Sequence, residues 1–238
     1  MMITPDCTIA AIATDAPATI RIFQEHEIDF CCGGKVALKE VCASRGLDLD
    51  ALLVDLRAAA APAQAEPTWD GASLAALVQH IQARYHEPLR KELPRLDAML
   101  DKVVSRHGTH LPEVLAPLQQ TFKHLQQDLL AHTAKEDRVL FPFIVALEAG
   151  GPLPVSDPAW IESPISAMEA EHEDAGAALA RIRETTSGFA PPDWACPTFR
   201  GLYDGLAQFE TDMHLHVHLE NNILFPQASR LARTLRSM

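Results

Sequence analysis

The sequence predicts an all-α protein in which a small helical domain precedes a four-helix bundle. From about residue 72 onward, four long stretches place apolar residues at steps of three and four, as a helix face packed against a core does. Residues 1–60 hold shorter stretches of the same kind, and the sequence lacks the alternating pattern of a β-strand. Of the 238 residues, 47% are hydrophobic, which is enough to build a packed core.

The N-terminal domain is predicted to span residues 1–60 and to contain four short helices. In order they are TIAAIA, ATIRIFQEH, KVALKEVCASRG and LDLDALLVDLRAAA. The segment DFCCGGK, residues 29–35, separates the second helix from the third, and we expect Lys35 to open the third. Residues 61–71, APAQAEPTWDG, are rich in Ala, Pro and Gly and are predicted to form a linker.

The bundle is predicted to span residues 72–238. Internal Pro88 and Pro94 should kink its first helix. Ser163 and Pro164 resemble an N-cap followed by the first residue of the third helix. Loops that contain Gly and Pro separate four helices, which cover about 72–105, 112–148, 164–186 and 198–236.

The composition argues against several classes of protein. The net charge of -12 disfavours a nucleic-acid-binding surface. The sequence has no run of about 18 apolar residues, so no membrane span is expected. The start, MMITPDCTIA, does not resemble a signal peptide. Five cysteines are few and odd in number, which disfavours a disulfide framework and favours the reducing cytoplasm.

Each predicted bundle helix carries one histidine within its apolar stripe, and two of these histidines have a glutamate four residues later. A buried imidazole or carboxylate is costly unless a strong partner compensates it. Six nitrogen and oxygen ligands fit two metal ions, and this ligand type suits iron or manganese. The alternative, ordinary buried histidines with local partners, is disfavoured because the pattern recurs in every helix. The predicted ligands are His86, His132, Glu136, His172, His216 and Glu220.

An internal repeat supports the two-metal prediction. HTAKEDRVLFP (132–142) and HVHLENNILFP (216–226) share the spacing His-x3-Glu-x3-Leu-Phe-Pro and lie 84 residues apart. His86 and His172 lie 86 residues apart, and each is followed by Glu. Two similar halves should bind two similar ions, joined by an oxo or hydroxo group. The predicted assignment is His86 and His132 on one ion, His172 and His216 on the other, and Glu136 and Glu220 as bridges.

The motifs resemble those of hemerythrin-like di-iron proteins, and more closely those of the Repair of Iron Centres family. In that family a short cysteine-bearing domain precedes a hemerythrin-like bundle. The resemblance covers almost the whole chain and implies two non-haem iron ions and a cytoplasmic location. The motifs that carry it, in order, are DFCCGGK, RYHE (84–87), HTAKEDRVLFP, EAEHEDAG (169–176) and HVHLENNILFP.

The same resemblance implies a function in the repair of iron–sulfur clusters damaged by nitric oxide or peroxide. The usual route is iron donation, and the partners are then iron–sulfur client proteins. Some relatives bind or reduce nitric oxide. A nitric oxide or oxygen buffer or sensor, and a nitric oxide reductase, therefore remain alternatives, and whether the protein is an enzyme stays open.

One position departs from the oxygen-carrying hemerythrins. Those proteins have a further histidine one turn after the ligand of the third helix, where this chain has Gly176. With one imidazole fewer, one iron should be more open and less tightly held. The departure favours ligand chemistry or iron release over reversible oxygen storage.

Four further residues are candidates for the chemistry. Cys31 and Cys32 are predicted to be redox or iron-transfer thiols, and their exposed segment could support a homodimer; the alternative is a purely structural turn. Asp128 and Glu171 lie next to predicted ligands and are expected to orient them or to line a path for iron. The alternative is that both carboxylates are simply solvated. Tyr85 is expected to be a packing residue.

Overall fold

The computed structural model describes residues 2–60, 69, 71–151, 153, 155 and 157–237. This part of the chain is α-helical and contains no β-strand, as predicted, although one isolated bridge joins Thr8 and Ala37. Most of the predicted linker at 61–71 lies outside the described residues. We call residues 2–60 the N-terminal module and residues 71–237 the bundle.

The helices follow the predicted order. The N-terminal module contains α1 (Ile9–Asp15), α2 (Ile20–Glu25), α3 (Leu38–Arg45) and α4 (Leu49–Ala59). The bundle contains α5 (Leu74–Ile81), α6 (Glu87–His107), α7 (Pro112–Lys135), α8 (Phe141–Ala149), α9 (Glu162–Thr185), α10 (Pro197–Leu219) and α11 (Phe225–Arg236). Short 3₁₀ turns precede α2 and α9, at Pro17–Thr19 and Pro158–Ile161. Within the described residues, none of the helices combines the length and apolar character that a membrane crossing needs.

Three π-helical turns join the bundle helices into longer rods. They are Gln82–His86, Glu136–Leu140 and Glu220–Leu224, and the N–H of the next residue bonds the carbonyl five residues earlier in each. A proline lies two residues beyond each turn, at Pro88, Pro142 and Pro226. Because proline has no N–H for the carbonyl four residues back, the regular α-helical ladder fails there. Together with α9, the three joined rods make a four-helix bundle.

The π-helical turns shift the register of the side chains. Continuing the helical stripe through the second turn predicts that Val139 is buried. That prediction is wrong: Val139 is 51% exposed, and the next residue, Leu140, is buried instead. The wider turn adds one residue, so the apolar face moves along by one position.

Two predicted helix starts are also wrong. Ser163 does not cap α9, which begins at Glu162 after a 3₁₀ turn that the side chain of Asp157 caps. Lys35 does not open α3, which begins at Leu38. In both places an irregular turn provides the first backbone contacts before the α-helix forms.

The four rods pack in a closed ring. Helix α6 packs against α7 and α10, and α9 packs against the same two helices. Buried apolar residues of the N-terminal module and of one half of the bundle form a single cluster. A second cluster fills the half of the bundle that contains α5, α8 and α11. The six predicted metal ligands lie where the three π-helical turns interrupt the rods.

Candidate metal centre

All six predicted ligands meet in the interior of the bundle. Glutamates Glu136 and Glu220 begin two of the π-helical turns, and His86 ends the third. None of the six side chains is more than 4% exposed. The bundle therefore concentrates four imidazoles and two carboxylates in a region closed to bulk water.

The histidines face each other in two pairs. The Nε2 atoms of His86 and His216 lie 3.0 Å apart, and those of His132 and His172 lie 2.9 Å apart. The predicted pairing, in which His86 joins His132 and His172 joins His216, is wrong. Each rod has two neighbours in the ring, and the histidines pair across the other set of helix contacts. The repeat identifies equivalent residues but not which neighbouring rods face each other.

The two glutamates lie between the histidine pairs. Glu136 Oε2 is 3.5 Å from His86 Nε2 and 3.2 Å from His132 Nε2. Glu220 Oε1 is 3.0 Å from His216 Nε2, and Glu220 Oε2 is 3.2 Å from His172 Nε2. Each carboxylate thus contacts both pairs. The ligand atoms form two overlapping groups of four, and both groups contain both glutamates.

Three of the histidines are oriented by an acceptor outside the centre. His86 Nδ1 is 2.9 Å from Asp137 Oδ1, His132 Nδ1 is 2.8 Å from Glu171 Oε2, and His172 Nδ1 is 2.8 Å from Asn221 Oδ1. Carboxylate and amide oxygens only accept hydrogen bonds, so Nδ1 carries the proton in each neutral ring. The Nε2 lone pair of each ring then points into the centre.

This arrangement fits bound cations. Lone pairs on facing Nε2 atoms repel, and both oxygens of Glu136 and Oε2 of Glu220 are buried without a hydrogen-bond partner. Such groups are stable in an interior only when a positive charge joins them. Imidazole nitrogen and carboxylate oxygen are the ligands that iron and related transition metals accept.

Without a metal, protons would supply part of that charge. Burial alone lowers the pKa of His86, but hydrogen bonds with Asp137 and Glu220 outweigh it and raise the pKa to about 9. His172 responds in the same way, since Glu220 outweighs burial and raises its pKa to about 9. Burial opposes ionisation of Glu220, yet the surrounding histidines hold its pKa well below the ordinary value. The centre therefore attracts positive charge strongly.

Asp137 and Asn221 were not among the residues predicted from the sequence. Both directly follow a predicted ligand, Glu136 or Glu220, and therefore occupy equivalent positions of the 84-residue repeat. Asp137 also accepts hydrogen bonds from Gln82 and Arg90. The repeat contained the signal, because a polar residue recurs at this position in both halves.

The two predicted supporting carboxylates differ. Glu171 accepts from His132 Nδ1 and pairs with Lys135. Asp128 is exposed, lines the same cleft as His132 and Glu171, and makes no hydrogen bond or ion pair with another described residue. No contact of Asp128 therefore supports a role in orienting a ligand. Its other predicted role, lining a path for iron to the centre, stays a prediction.

Cys31 and Cys32 lie in a tight turn against the bundle. Their sulfurs are 3.7 Å apart, and Cys32 Sγ is 3.6 Å from the carbonyl oxygen of the predicted ligand His172. The Asp29 carboxylate accepts the N–H groups of Cys31, Cys32 and Gly33, which shapes the turn. All five cysteines are free thiols. The thiols lie beside the candidate metal centre without entering it, and the prediction that their segment is exposed is wrong for Cys31, which is buried against the rest of the fold.

The two thiols differ in acidity. A hydrogen bond to Cys32, together with burial and the nearby Asp29 charge, raises the pKa of Cys31 well above its ordinary value. Accepting that hydrogen bond lowers the pKa of Cys32. The thiols do not lie at the N-terminus of α3, so the helix dipole is not the cause. Of the two, Cys32 is the more readily ionised.

Comparison with known proteins places the chain in a family. The hemerythrin HHE cation binding domain matches residues 77–228, and ScdA_N, a domain of unknown function (DUF542), matches residues 5–60. The iron–sulfur cluster repair protein YtfE of Dickeya chrysanthemi is 38% identical over 94% of this chain and 97% of its own length. The proteins of that name from Yersinia pseudotuberculosis and Yersinia pestis are each 36% identical over 94% of this chain and 96% of their own length. The chain therefore carries a hemerythrin HHE domain and belongs to the family of the YtfE iron–sulfur cluster repair proteins.

Proposed function

We propose that this protein holds two iron ions and repairs iron–sulfur clusters damaged by nitrosative or oxidative stress, by donating iron. The orientation of the histidines carries the proposal. In three of them Nδ1 is fixed outward by an acceptor, so that Nε2 faces the buried carboxylates, of which three oxygens have no hydrogen-bond partner. The proposed ligands are His86 and His216 on one ion, His132 and His172 on the other, and Glu136 and Glu220 between them.

The residues around the centre would allow bound ions to be released. Four imidazoles and two shared carboxylates would leave coordination positions open for exchange, and Gly176 stands where the oxygen-carrying hemerythrins have a further histidine. When bound, the iron serves as cargo for a damaged cluster and offers open positions to small ligands. Iron release returns the centre to a state in which protons on His86 and His172 balance the glutamates.

A cleft offers a route between the centre and the surface. It reaches His132 and His172 and is lined by carboxylates that include Asp128, Glu171 and Asp174. Carboxylate oxygens bind hydrated divalent cations weakly and can pass them along. We propose that the ion held by His132 and His172 leaves by this cleft, and that Cys32, which is half-buried on the neighbouring face, contacts the client protein.

The first experiment measures iron content and the visible spectrum of the purified protein. We expect about two irons per chain, and loss of both in a His132→Ala/Glu136→Ala variant. The matched control is His124→Ala/Asp128→Ala, which removes the same kinds of residue at the same spacing from the exposed face of α7. Iron retained in the first variant, or lost equally in the control, would refute the ligand assignment.

The second experiment separates iron donation from gas binding. Iron-loaded protein is mixed with an apo iron–sulfur protein and a sulfide source, and cluster formation is followed by absorbance. Transfer of iron to the client supports repair by donation. Iron that stays in the bundle while nitric oxide binds reversibly would instead favour the buffer or sensor alternative.

A further inference from the structure

We infer that the two metal positions are unequal, and that the ion between His86 and His216 is released first. The inference rests on the proposed function, since it concerns the same two ions. It follows from Tyr85, which takes the place of a hydrogen-bond acceptor in one half of the repeat. Because Tyr85 stands at that position, His216 is the one ligand histidine of the four whose Nδ1 has no hydrogen-bond acceptor to orient it.

The repeat defines which residues are equivalent. His86 corresponds to His172, so Tyr85, which precedes the first, corresponds to Glu171, which precedes the second. In the same way His132 corresponds to His216. The contact between Glu171 and His132 therefore corresponds to the contact between Tyr85 and His216.

The two equivalent contacts are chemically different. Glu171 Oε2 accepts from His132 Nδ1 at 2.8 Å. Tyr85 instead stacks on His216, with ring centroids 5.3 Å apart and planes 9° from parallel. His216 Nδ1 is buried and has no hydrogen-bond partner. Both Tyr85 and Glu171 are half-buried, so burial does not explain the difference.

The missing acceptor weakens His216 as a ligand. An acceptor on Nδ1 fixes the tautomer that presents Nε2 to a metal and makes Nε2 more basic. Stacking fixes the plane of the His216 ring but does neither. Loss of such an outer partner typically lowers metal affinity by about 10- to 100-fold. The pair at His132 and His172 has an acceptor on both rings, whereas the pair at His86 and His216 has only Asp137.

Access from the surface does not distinguish the two positions. One cleft reaches His132 and His172, and another, between α6 and α10, reaches His216 beside Tyr85 and Met213. An ion at either position lies close to a cleft. The difference in hydrogen bonding is therefore what should decide the order of release.

The test follows iron release from the iron-loaded full-length protein into excess ferrous chelator, by absorbance. We expect two phases of equal amplitude, with rates that differ by about 10- to 100-fold. In Tyr85→Gln the amide oxygen can accept from His216 Nδ1, so the fast phase should slow toward the rate of the slow phase. Tyr85→Phe keeps the stacked ring and should leave both rates unchanged.

Two further variants keep the test decisive. Tyr85→Leu removes the ring without supplying an acceptor, so it should not slow the fast phase. Glu171→Leu removes the acceptor of the other half and should accelerate the slow phase, while circular dichroism checks that each variant is folded. A single phase in the wild type, or equal effects of Tyr85→Gln and Tyr85→Leu, would overturn the inference but leave the two-iron centre in place. Protein that binds no iron would overturn the proposed function and the inference together.

Discussion

Asp137 orients His86 and is itself held by several partners. Burial alone would raise the pKa of Asp137, but hydrogen bonds from His86, Gln82 and Arg90 lower it, so the side chain stays a carboxylate. Its charge therefore acts on His86 through the imidazole ring rather than by contact with an ion. Glu171 does the same for His132, with Lys135 as its outer partner.

Replacing Asp137 with Asn should weaken iron binding. The variant keeps the shape of the side chain but removes the negative charge that makes the Nε2 lone pair of His86 a strong metal ligand. We expect the affinity for iron to fall by about 10- to 100-fold, with the fold intact. Titration against a competing chelator measures this change.

Asp128→Asn is the matched control for that titration. Asp128 lies on the same rod, is exposed and makes no contact with a ligand histidine among the described residues. Its substitution should change the affinity less than twofold. Equal affinities of the two variants would contradict the orienting role of Asp137.

The π-helical turns and the turn at residues 29–34, which we call the cysteine turn, bring the functional groups together. Each π-helical turn begins or ends with a ligand, so the irregular turn and the ligand position are set by the same segment. In the cysteine turn, two glycines allow the chain to bend closely. A Cβ on Gly33 would lie 2.9 Å from Asp29 Oδ2, and one on Gly34 would lie 2.6 Å from the carbonyl oxygen of Phe30.

Gly34→Ala should therefore disrupt the cysteine turn. The methyl group would meet the Phe30 carbonyl, which is backbone, and Ala10 Cβ at 2.9 Å, so the turn must shift. The Phe30 carbonyl also accepts from Asn222 of the bundle, and the shift would loosen that contact. We expect unfolding to become easier by about 1–3 kcal/mol and thiol labelling of Cys32 to become faster.

Gly151→Ala serves as the comparison. A Cβ there would meet no atom within 4 Å, and the backbone does not adopt a positive φ. Its stability in denaturant unfolding should match that of the wild type within about 0.5 kcal/mol. If the two alanine variants proved equally stable, the close approach at Gly34 would not be what shapes the turn.

The helices, and the meeting of the six predicted ligands in one buried cluster, were predictable from the sequence because burial imposes a regular period. His132 and Glu136 interrupt an apolar stripe at a spacing that a helix places on one face, and the repeat marks their equivalents. The pairing of His86 with His216 was not predictable, because each rod has two neighbours and a repeat does not choose between them. The burial of Leu140 in place of Val139 was not predictable either, because a π-helical turn changes the spacing of buried residues within a single turn.

The N-terminal module and the bundle share one apolar cluster, and ion pairs reinforce their contact. Arg183 of α9 donates from Nε to both carboxylate oxygens of Glu210 on α10, at 3.0 Å each. Its Nη1 donates to Glu27 of the N-terminal module at 3.2 Å. His218, on the same rod as Glu210, meets the carbonyl oxygen of Phe30 at 3.3 Å. One arginine thus joins two bundle helices to the module that carries the thiols.

Arg183→Met should destabilise the protein, because it leaves the Glu210 carboxylate, which is only 3% exposed, without its cation. Removing the partner of a buried charge is costly. Because Arg183 is partly exposed, water can compensate for part of this cost. We expect the free energy of unfolding, measured in urea, to fall by on the order of 1–3 kcal/mol. Arg183→Met/Glu210→Gln should recover much of that loss, since no unpaired charge remains. Glu27→Gln removes only the exposed link and should cost less than about 1 kcal/mol. If Glu27→Gln were as damaging as Arg183→Met, the contact between module and bundle, rather than the buried charge, would be what Arg183 stabilises.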